Sequence, residues 1–440
     1  MKRLLPLVFL LLFSCHLSDK KLSNTSTESV INIPAEEEHG QEQATHNQFE
    51  SKNLLTLKSN LKKTKVALFL PFSGKHKELG WSLANAAMMS LFDNDHEHAI
   101  ELVLIDSKET PAEASEAFRQ VVAQNIKIVI GPVFGNLAPV LEREAKRNKI
   151  TVISLSNNQD LIGKINEEGG IFVSGFLPEA QIDRIVEFAM EQNKANFAVL
   201  APNNDYGRTI SSLFSRIVRN RDGNIITSEF YEINGLNIDR SVERIMNSFA
   251  LAEGAVVKKI KGKAKKDVKA ISEIDRIFPE VIFVPDSGKM LSKIAASFKK
   301  LNVDERGFQI VGTSQWDDLS ILNDSNLYGS WFPAPENERF RNFERIFSQN
   351  FSKSAPRIAS ISYDLTAAII ELVNQAGRGK SPLAKDFMNY QNLPTNGFDG
   401  IDGPFRFLPN GIVQRNFAVL QVGNGKLDTV DRSLSKFLKY

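Results

Sequence analysis

The chain of 440 residues contains a single cysteine, Cys15, which excludes an internal disulfide framework. Its N-terminal apolar run, Leu4 to Phe13, is about half of the roughly 20 residues a membrane-spanning helix needs. A Gly-x-x-x-x-Gly-Lys loop for phosphates and a His-Glu-x-x-His helix for zinc are both missing. Gly312-Thr313-Ser314-Gln315-Trp316 begins like the nucleophile elbow of hydrolases but has no closing glycine, and all six histidines precede it. Ser-x-x-Lys occurs at Ser18, Ser59, Ser297 and Ser433, without the Lys-Thr-Gly that accompanies it in acyl-transfer enzymes. Neither catalysis nor a cofactor is therefore expected. Charge of one sign is also lacking: 54 basic against 52 acidic residues leave a net charge of +2, without the field that nucleic acid demands.

What is present begins with Lys2 and Arg3, followed by the apolar run and then Ser14 and Cys15, which together read as a secretory signal over residues 1–14. Leu12-Phe13-Ser14-Cys15 resembles the bacterial lipobox, which implies cleavage before Cys15 and a lipid on that cysteine as the link to a membrane. A lone cysteine in an oxidising compartment otherwise has no internal partner. His16 stands where many inner-membrane lipoproteins carry aspartate, so the expected location is the periplasm, anchored to the outer membrane. Residues 15–63 are rich in Ser, Asn, Thr, Glu and Gln, and such composition cannot fund a core. They read as a tether reaching on the order of 40 Å.

From Lys65 onward, short apolar strands alternate with helix-length stretches that carry apolar residues at three- and four-residue spacing. Strands are expected at 66–70, 102–105, 127–130 and 151–155, with helices near 78–92 and from 111. A second series falls at 197–200, 225–230, 281–284 and 309–311. Apolar strands separated by helices imply parallel sheets covered on both faces. The fold class expected is α/β, with two doubly wound parallel-sheet lobes. Such lobes bind ligands outside the carboxyl ends of their strands.

The segments Val66 to Gly74, Ile128-Val129-Ile130-Gly131-Pro132 and Asn204-Asp205-Tyr206-Gly207 resemble, in order, those of type I periplasmic binding proteins of the branched-chain amino-acid receptor group. That resemblance implies two lobes joined by three crossovers: lobe I from 64–176 plus 313–395, and lobe II from 177–312 plus 396–440. A nearer likeness, to alphaproteobacterial penicillin-binding protein activator lipoproteins, rests on Val311 to Asp318, Tyr328 to Pro335, Pro356-Arg357-Ile358-Ala359-Ser360, Tyr363-Asp364 and Gly397 to Phe407. It implies help to a peptidoglycan synthase by contact, with a penicillin-binding protein as partner. Enteric activators carry a helical-repeat domain before this fold, where this chain has the tether.

The alternative within the fold is a solute receptor of an ABC transporter for an amino acid or similar small ligand. It needs donors for a carboxylate and an acid for an ammonium group. Candidate cleft residues are Ser73, Ser154, Ser156 and Asn157 from one lobe and Asp205, Tyr206 and Asp286 from the other. Loop and helix-cap roles compete for each of them. After Gly131-Pro132 the receptor group offers small hydroxyl residues, whereas this chain has Val133-Phe134-Gly135-Asn136. His96 and His98 read as a solvated turn rather than a metal site, and the basic stretch Lys258 to Lys269 as an insertion in the second lobe.

Overall fold

The computed structural model describes residues 62–251, 276–301, 307–377, 379–389, 393, 396–434 and 437. Cys15, the expected tether up to residue 61 and the basic stretch Lys258 to Lys269 lie outside the described residues.

Five strands form the first sheet: β1 (Thr64–Leu70), β2 (Ile100–Asp106), β3 (Ile128–Ile130), β4 (Thr151–Ser154) and β5 (Gly170–Val173). They pair in the order β2-β1-β3-β4-β5, all parallel. Helices α1 (Lys77–Asn94), α2 (Pro111–Ala123) and α3 (Glu142–Arg147) connect them. The near-continuous apolar character of β1 has a direct cause. Val66, Leu68 and Leu70 enter the core on one face of the sheet, while Ala67 and Phe69 enter the core on the other.

The chain then crosses to a second sheet through α4 (Pro178–Glu191). Its strands are β6 (Asn196–Pro202), β7 (Asn224–Tyr231), β10 (Val281–Phe283), β11 (Gln309–Val311), β12 (Trp331–Ala334), β15 (Ala418–Val422) and β16 (Leu427–Asp431). The order is β16-β15-β12-β11-β10-β6-β7, parallel from β12 to β7 and antiparallel where β15 and β16 are added. Helices α5 (Asp205–Asn220), α6 (Ile238–Asn247) and α7 (Gly288–Lys300) cover it. β8 (Ala250–Leu251) and β9 (Arg276–Ile277) form a separate two-stranded antiparallel ladder.

After β12 the chain returns to the first lobe as α8 (Asn337–Phe351), α9 (Ala359–Ala376), α10 (Ala384–Phe387) and the hairpin β13 (Phe405–Phe407) with β14 (Val413–Arg415), then crosses again into β15. The described chain thus passes between the sheets after β5, after β12 and after β14. Two of these crossings lie elsewhere than the boundaries expected at 313 and 396. Trp316 and Phe332 are fully buried in the second lobe's core, so residues 313–334 belong there and not to lobe I. Phe405, Phe407 and Val413 pack with Phe172 and Phe387 in the first core, so 396–415 is not part of lobe II. Strand pairing and burial set both boundaries: β12 pairs within the second sheet, and the Phe405 and Phe407 rings of the β13–β14 hairpin are buried in the first core.

The Asn204-Asp205-Tyr206-Gly207 turn opens α5. The Asn204 side chain caps the helix by accepting from Gly207 N at 2.8 Å, and a Cβ on Gly207 would overlap the Pro202 carbonyl oxygen. Gly207→Ala is expected to destabilise the chain by about 1–3 kcal/mol through overpacking, and Asn204→Ala by about 1 kcal/mol through loss of the cap. Urea unfolding followed by circular dichroism measures both, and Gly207→Ala should cost the more.

Candidate functional site

Loops at the carboxyl ends of the strands face one another across a cleft of about 520 Å³. The first lobe supplies Val133 to Asn136 after β3 and Leu155 to Asn157 after β4. The second supplies Tyr206 and Ile210 from α5 and Thr313 to Gln315 after β11. Gly175, Phe176, Pro178 and Gln181 of the first crossover and Ile358 before α9 complete the described lining. Among the described residues, not one of the lining side chains is charged. The cleft offers amides, hydroxyls and the rings of Phe134, Phe176 and Tyr206. Phe134 is seated by His76, whose ring lies 4.7 Å away and whose Nδ1 stands 3.0 Å from Glu109 Oε1.

Ser156, Asn157 and Tyr206 of the sequence-selected residues reach this cleft; Ser73, Ser154, Asp205 and Asp286 are not in its lining. Ser154 is fully buried, its Oγ donating to the Pro132 carbonyl at 3.1 Å and standing 2.9 Å from Ser156 Oγ. Asp205 is exposed in the first turn of α5, with Arg208 4.0 Å away. The Asp286 carboxylate accepts from the Tyr231 hydroxyl and, at 2.7 Å, from Ser287 N, while its carbonyl accepts from Trp316 Nε1 at 2.8 Å. Burial first, and then the charge of Asp286, push the Tyr206 phenol up to about 12, against a lowering hydrogen bond with Gln315. Tyr206 therefore meets the cleft as a neutral hydroxyl.

Ser73 belongs to a turn organised by Asp106. That carboxylate accepts from Phe72 N at 3.0 Å, Lys108 N at 3.1 Å and Lys108 Nζ at 2.7 Å, and Lys108 Nζ also reaches Ser73 Oγ at 3.2 Å. Burial raises the Asp106 pKa, but the hydrogen bonds from Lys108, Ser73 and Phe72 outweigh it and bring it down to about 2.

Beside the cleft is a charge cluster that the sequence reading did not identify. Arg357 precedes α9 in the first lobe. Its Nε donates at 3.0 Å to Asp317 of the second lobe, and its Nη1 donates at 2.7 Å to Asp402 and at 3.1 Å to Ser360 Oγ. The Ser360 hydroxyl donates to the other oxygen of Asp402 at 2.7 Å. The guanidinium also lies 4.1 Å from the Phe340 ring centre. Burial works against the Arg357 charge, but Asp402 and Asp317 outweigh it and raise its pKa. A second buried pair, Arg415 Nη1 to Asp364 at 3.0 Å, lies next to it, with Ile401 N donating to Asp364 at 2.7 Å. Gly400 makes room for Asp364, because a Cβ there would press on the carboxylate. In the sequence, Asp317, Arg357, Ser360, Asp364 and Asp402 fall in the short segments that carry the activator likeness, whereas Arg415 lies beyond them.

Among the described residues the lining presents hydroxyls, amides and rings, and no charged side chain for an ammonium or a carboxylate. A neighbouring pocket of about 390 Å³ shares Gly175 and Phe176 with the cleft; of its charged residues, Arg216 pairs with Glu179 at 3.0 Å and Asp183 with Arg221 at 2.7 Å.

Arg357→Ala should cost about 3–5 kcal/mol, because it strands the buried Asp402 carboxylate, whereas Asp317→Asn should cost less, since Arg357 and Asp402 remain paired. Chemical denaturation of the two variants checks the order. For Asp106 the folded pKa lies below the unfolded value of 3.8, so its stabilisation is complete above about pH 4 and is lost as pH falls towards about 2. Asp106→Asn is expected to lose about 2 kcal/mol at pH 7. The gap from the parent chain should close between pH 4 and pH 2, as measured by urea unfolding at stepped pH.

Comparison with known proteins agrees with the architecture. A family described as periplasmic binding protein matches residues 63–426. The chain is 24% identical over 382 residues to an uncharacterized protein of Rickettsia prowazekii (strain Madrid E), covering 85% of this chain and 90% of that one. It is 22% identical over 334 residues to the penicillin-binding protein activator LpoA of Vibrio cholerae, covering 71% of this chain and 51% of LpoA, so it spans about half the length of that relative. Among solved structures, a branched-chain amino-acid ABC transporter protein from Rhodospirillum rubrum superposes with a TM-score of 0.67 at 14% identity, over 84% of this chain and 100% of that one. Two parallel-sheet lobes facing a cleft, joined by three crossings and matched from residue 63 to 426, place this chain in the periplasmic binding protein family, with the type I fold.

Proposed function

We propose that the chain is a non-catalytic envelope lipoprotein that activates a penicillin-binding protein by contact. In this reading the lipid on Cys15 anchors it to the outer membrane from the periplasmic side, and residues 15–63 give the lobes their reach. Two supports come from outside the cleft: the relationship to LpoA, whose name carries that activity, and the ordered set of segments in the likeness to activator lipoproteins. The observation that carries the choice over amino-acid transport is the cleft lining without a charged side chain. A zwitterion brought into such a cleft loses the hydration of two charges and gains no ionic partner for either.

The receptor reading keeps one argument, the size of the cleft, which falls within the roughly 300–1,000 Å³ of ligand pockets. Two measurements separate the readings. Added to a purified penicillin-binding protein from the same cell envelope, the chain should raise its glycan polymerisation or cross-linking rate. No change in either rate sinks the contact reading. In a thermal-shift series with the amino acids, the melting temperature should stay flat. A true ligand at a hundred times its dissociation constant would instead add about 2.7 kcal/mol and move it by several degrees.

A further inference from the structure

Helix α7 carries four lysines, Lys289, Lys293, Lys299 and Lys300, and no acidic residue. Leu291, Ile294, Ala295 and Phe298 bury one side of it in the second lobe. At about 100° per residue, Lys289, Lys293, Ala296 and Lys300 fall within roughly 60° of one another, in a row on the side that faces water. Lys300 Nζ donates to Asp239 of α6 at 2.6 Å, and the other oxygen of that carboxylate accepts from Ser297 Oγ at 2.6 Å. Lys289, Lys293 and Lys299 have no ion-pair partner among the described residues.

The loop between β7 and α6 runs beside this row. At one end of α7, Gly235 lies against Met290, because a Cβ on it would stand 3.4 Å from the Met290 sulfur; towards the other end, Asp239 is bonded to Ser297 and Lys300. Met290 and Ser297, seven residues apart, share the flank of the helix next to the lysines. The loop fixes its own shape. Asn237 Oδ1 accepts from Glu232 N at 2.7 Å, the Glu232 carbonyl accepts from Gly235 N at 2.7 Å, and Asn234 Oδ1 accepts from Leu236 N at 3.1 Å. So held, it leaves Ile233 62% and Leu236 85% exposed.

The residue types say what covers this surface. Contacts between proteins are depleted in lysine and enriched in aromatic rings and arginine, whereas the exposed groups here are lysines and aliphatics. That pairing suits the boundary of an anionic bilayer. The ammonium groups gain from the negative surface potential, the lysine stems lie along the apolar boundary, and aliphatic tips enter below the headgroups. Asp239 and Glu243 stand at the Lys300 end of the row, and Glu232 in the loop accepts from Asn203 Nδ2 at 3.2 Å. Contact with lipid phosphate therefore falls to Lys289 and Lys293.

We propose that the α7 lysine row and the Ile233–Leu236 loop together dock the second lobe on an anionic phospholipid surface. The inference holds whether or not the chain activates a synthase. The full chain is tested with Cys15→Ser, so that no lipid on that cysteine can anchor it, by flotation with vesicles of phosphatidylcholine with and without phosphatidylglycerol. It should float with the vesicles that contain phosphatidylglycerol and not with phosphatidylcholine alone, and the bound fraction should fall as salt rises. Lys289→Ala and Lys293→Ala should each weaken binding about fivefold, and Leu236→Ser roughly tenfold. Melting curves should not change, because all three side chains are in water. Arg119→Ala combined with Lys149→Ala, which takes two exposed positive charges from the first lobe, should leave binding as it is. A chain that ignores phosphatidylglycerol overturns the proposal. So does binding indifferent to the α7 and Leu236 variants, the outcome expected if the basic stretch Lys258 to Lys269 alone holds lipid. A chain that ignores the vesicles, and in which Lys289→Ala abolishes binding of an acidic protein, overturns it as well.

Discussion

Arg357 is the point on which the two lobes depend. A guanidinium taken out of water needs hydrogen-bond partners, and this one takes a carboxylate from each lobe, Asp402 of its own on Nη1 and Asp317 of the other on Nε, while its buried Nη2 has no hydrogen-bond partner among the described residues. The Asp402 side chain is fully buried and in turn needs Arg357 and the Ser360 hydroxyl. A buried ion pair of this kind adds little net stability over an apolar substitute, but breaking it is costly, so its effect is to select one lobe arrangement over others. Ile358, the next residue, lines the cleft. The pairing that joins the lobes therefore also limits how the cleft walls are spaced.

The same constraint accounts for the neutrality of the cleft. Around it, charge is abundant but committed. Asp317 and Arg357 hold each other, Asp286 is held by Tyr231 and Ser287, Asp106 by Lys108 and Phe72, and Asp364 by Arg415. Each of these carboxylates has its partners within the chain and is turned to the task of fixing a loop or a lobe. What remains for the cleft is amide, hydroxyl and ring surface, with Phe134 in the loop after Gly131-Pro132. Of the polar residues selected from the sequence, Ser73, Ser154 and Asp286 are bonded into the scaffold in this way.

Much of the fold was legible in the sequence for a simple reason. Strands buried on both faces read as unbroken apolar runs, so β1, β3, β4, β6, β10 and β11 were expected within a residue or two of where they lie. The strands that escaped notice have weaker patterns. β5 begins with Gly170, β12 contains Pro333, and β13 to β16 belong to antiparallel ladders with little alternation to mark them. Among the candidate site residues, Ser156, Asn157 and Tyr206 were placed at strand ends and helix starts that do converge on the cleft. Ser73, Ser154, Asp205 and Asp286 occupy equivalent local positions, yet local position says nothing of which hydrogen bonds a neighbour has already taken.

What the sequence by itself determined is the kind of structure: alternating apolar strands and helices, hence parallel sheets in two lobes, and a composition without the usual apparatus of catalysis. Such properties follow from periodicity and residue type, which are local. Only the tertiary structure decided where the chain changes lobe, which carboxylates are already paired, and that residues from the segments around 317, 357, 364 and 402 form neighbouring buried charge pairs. Burial and electrostatic pairing depend on contacts between residues tens to hundreds of positions apart, and no local pattern records them.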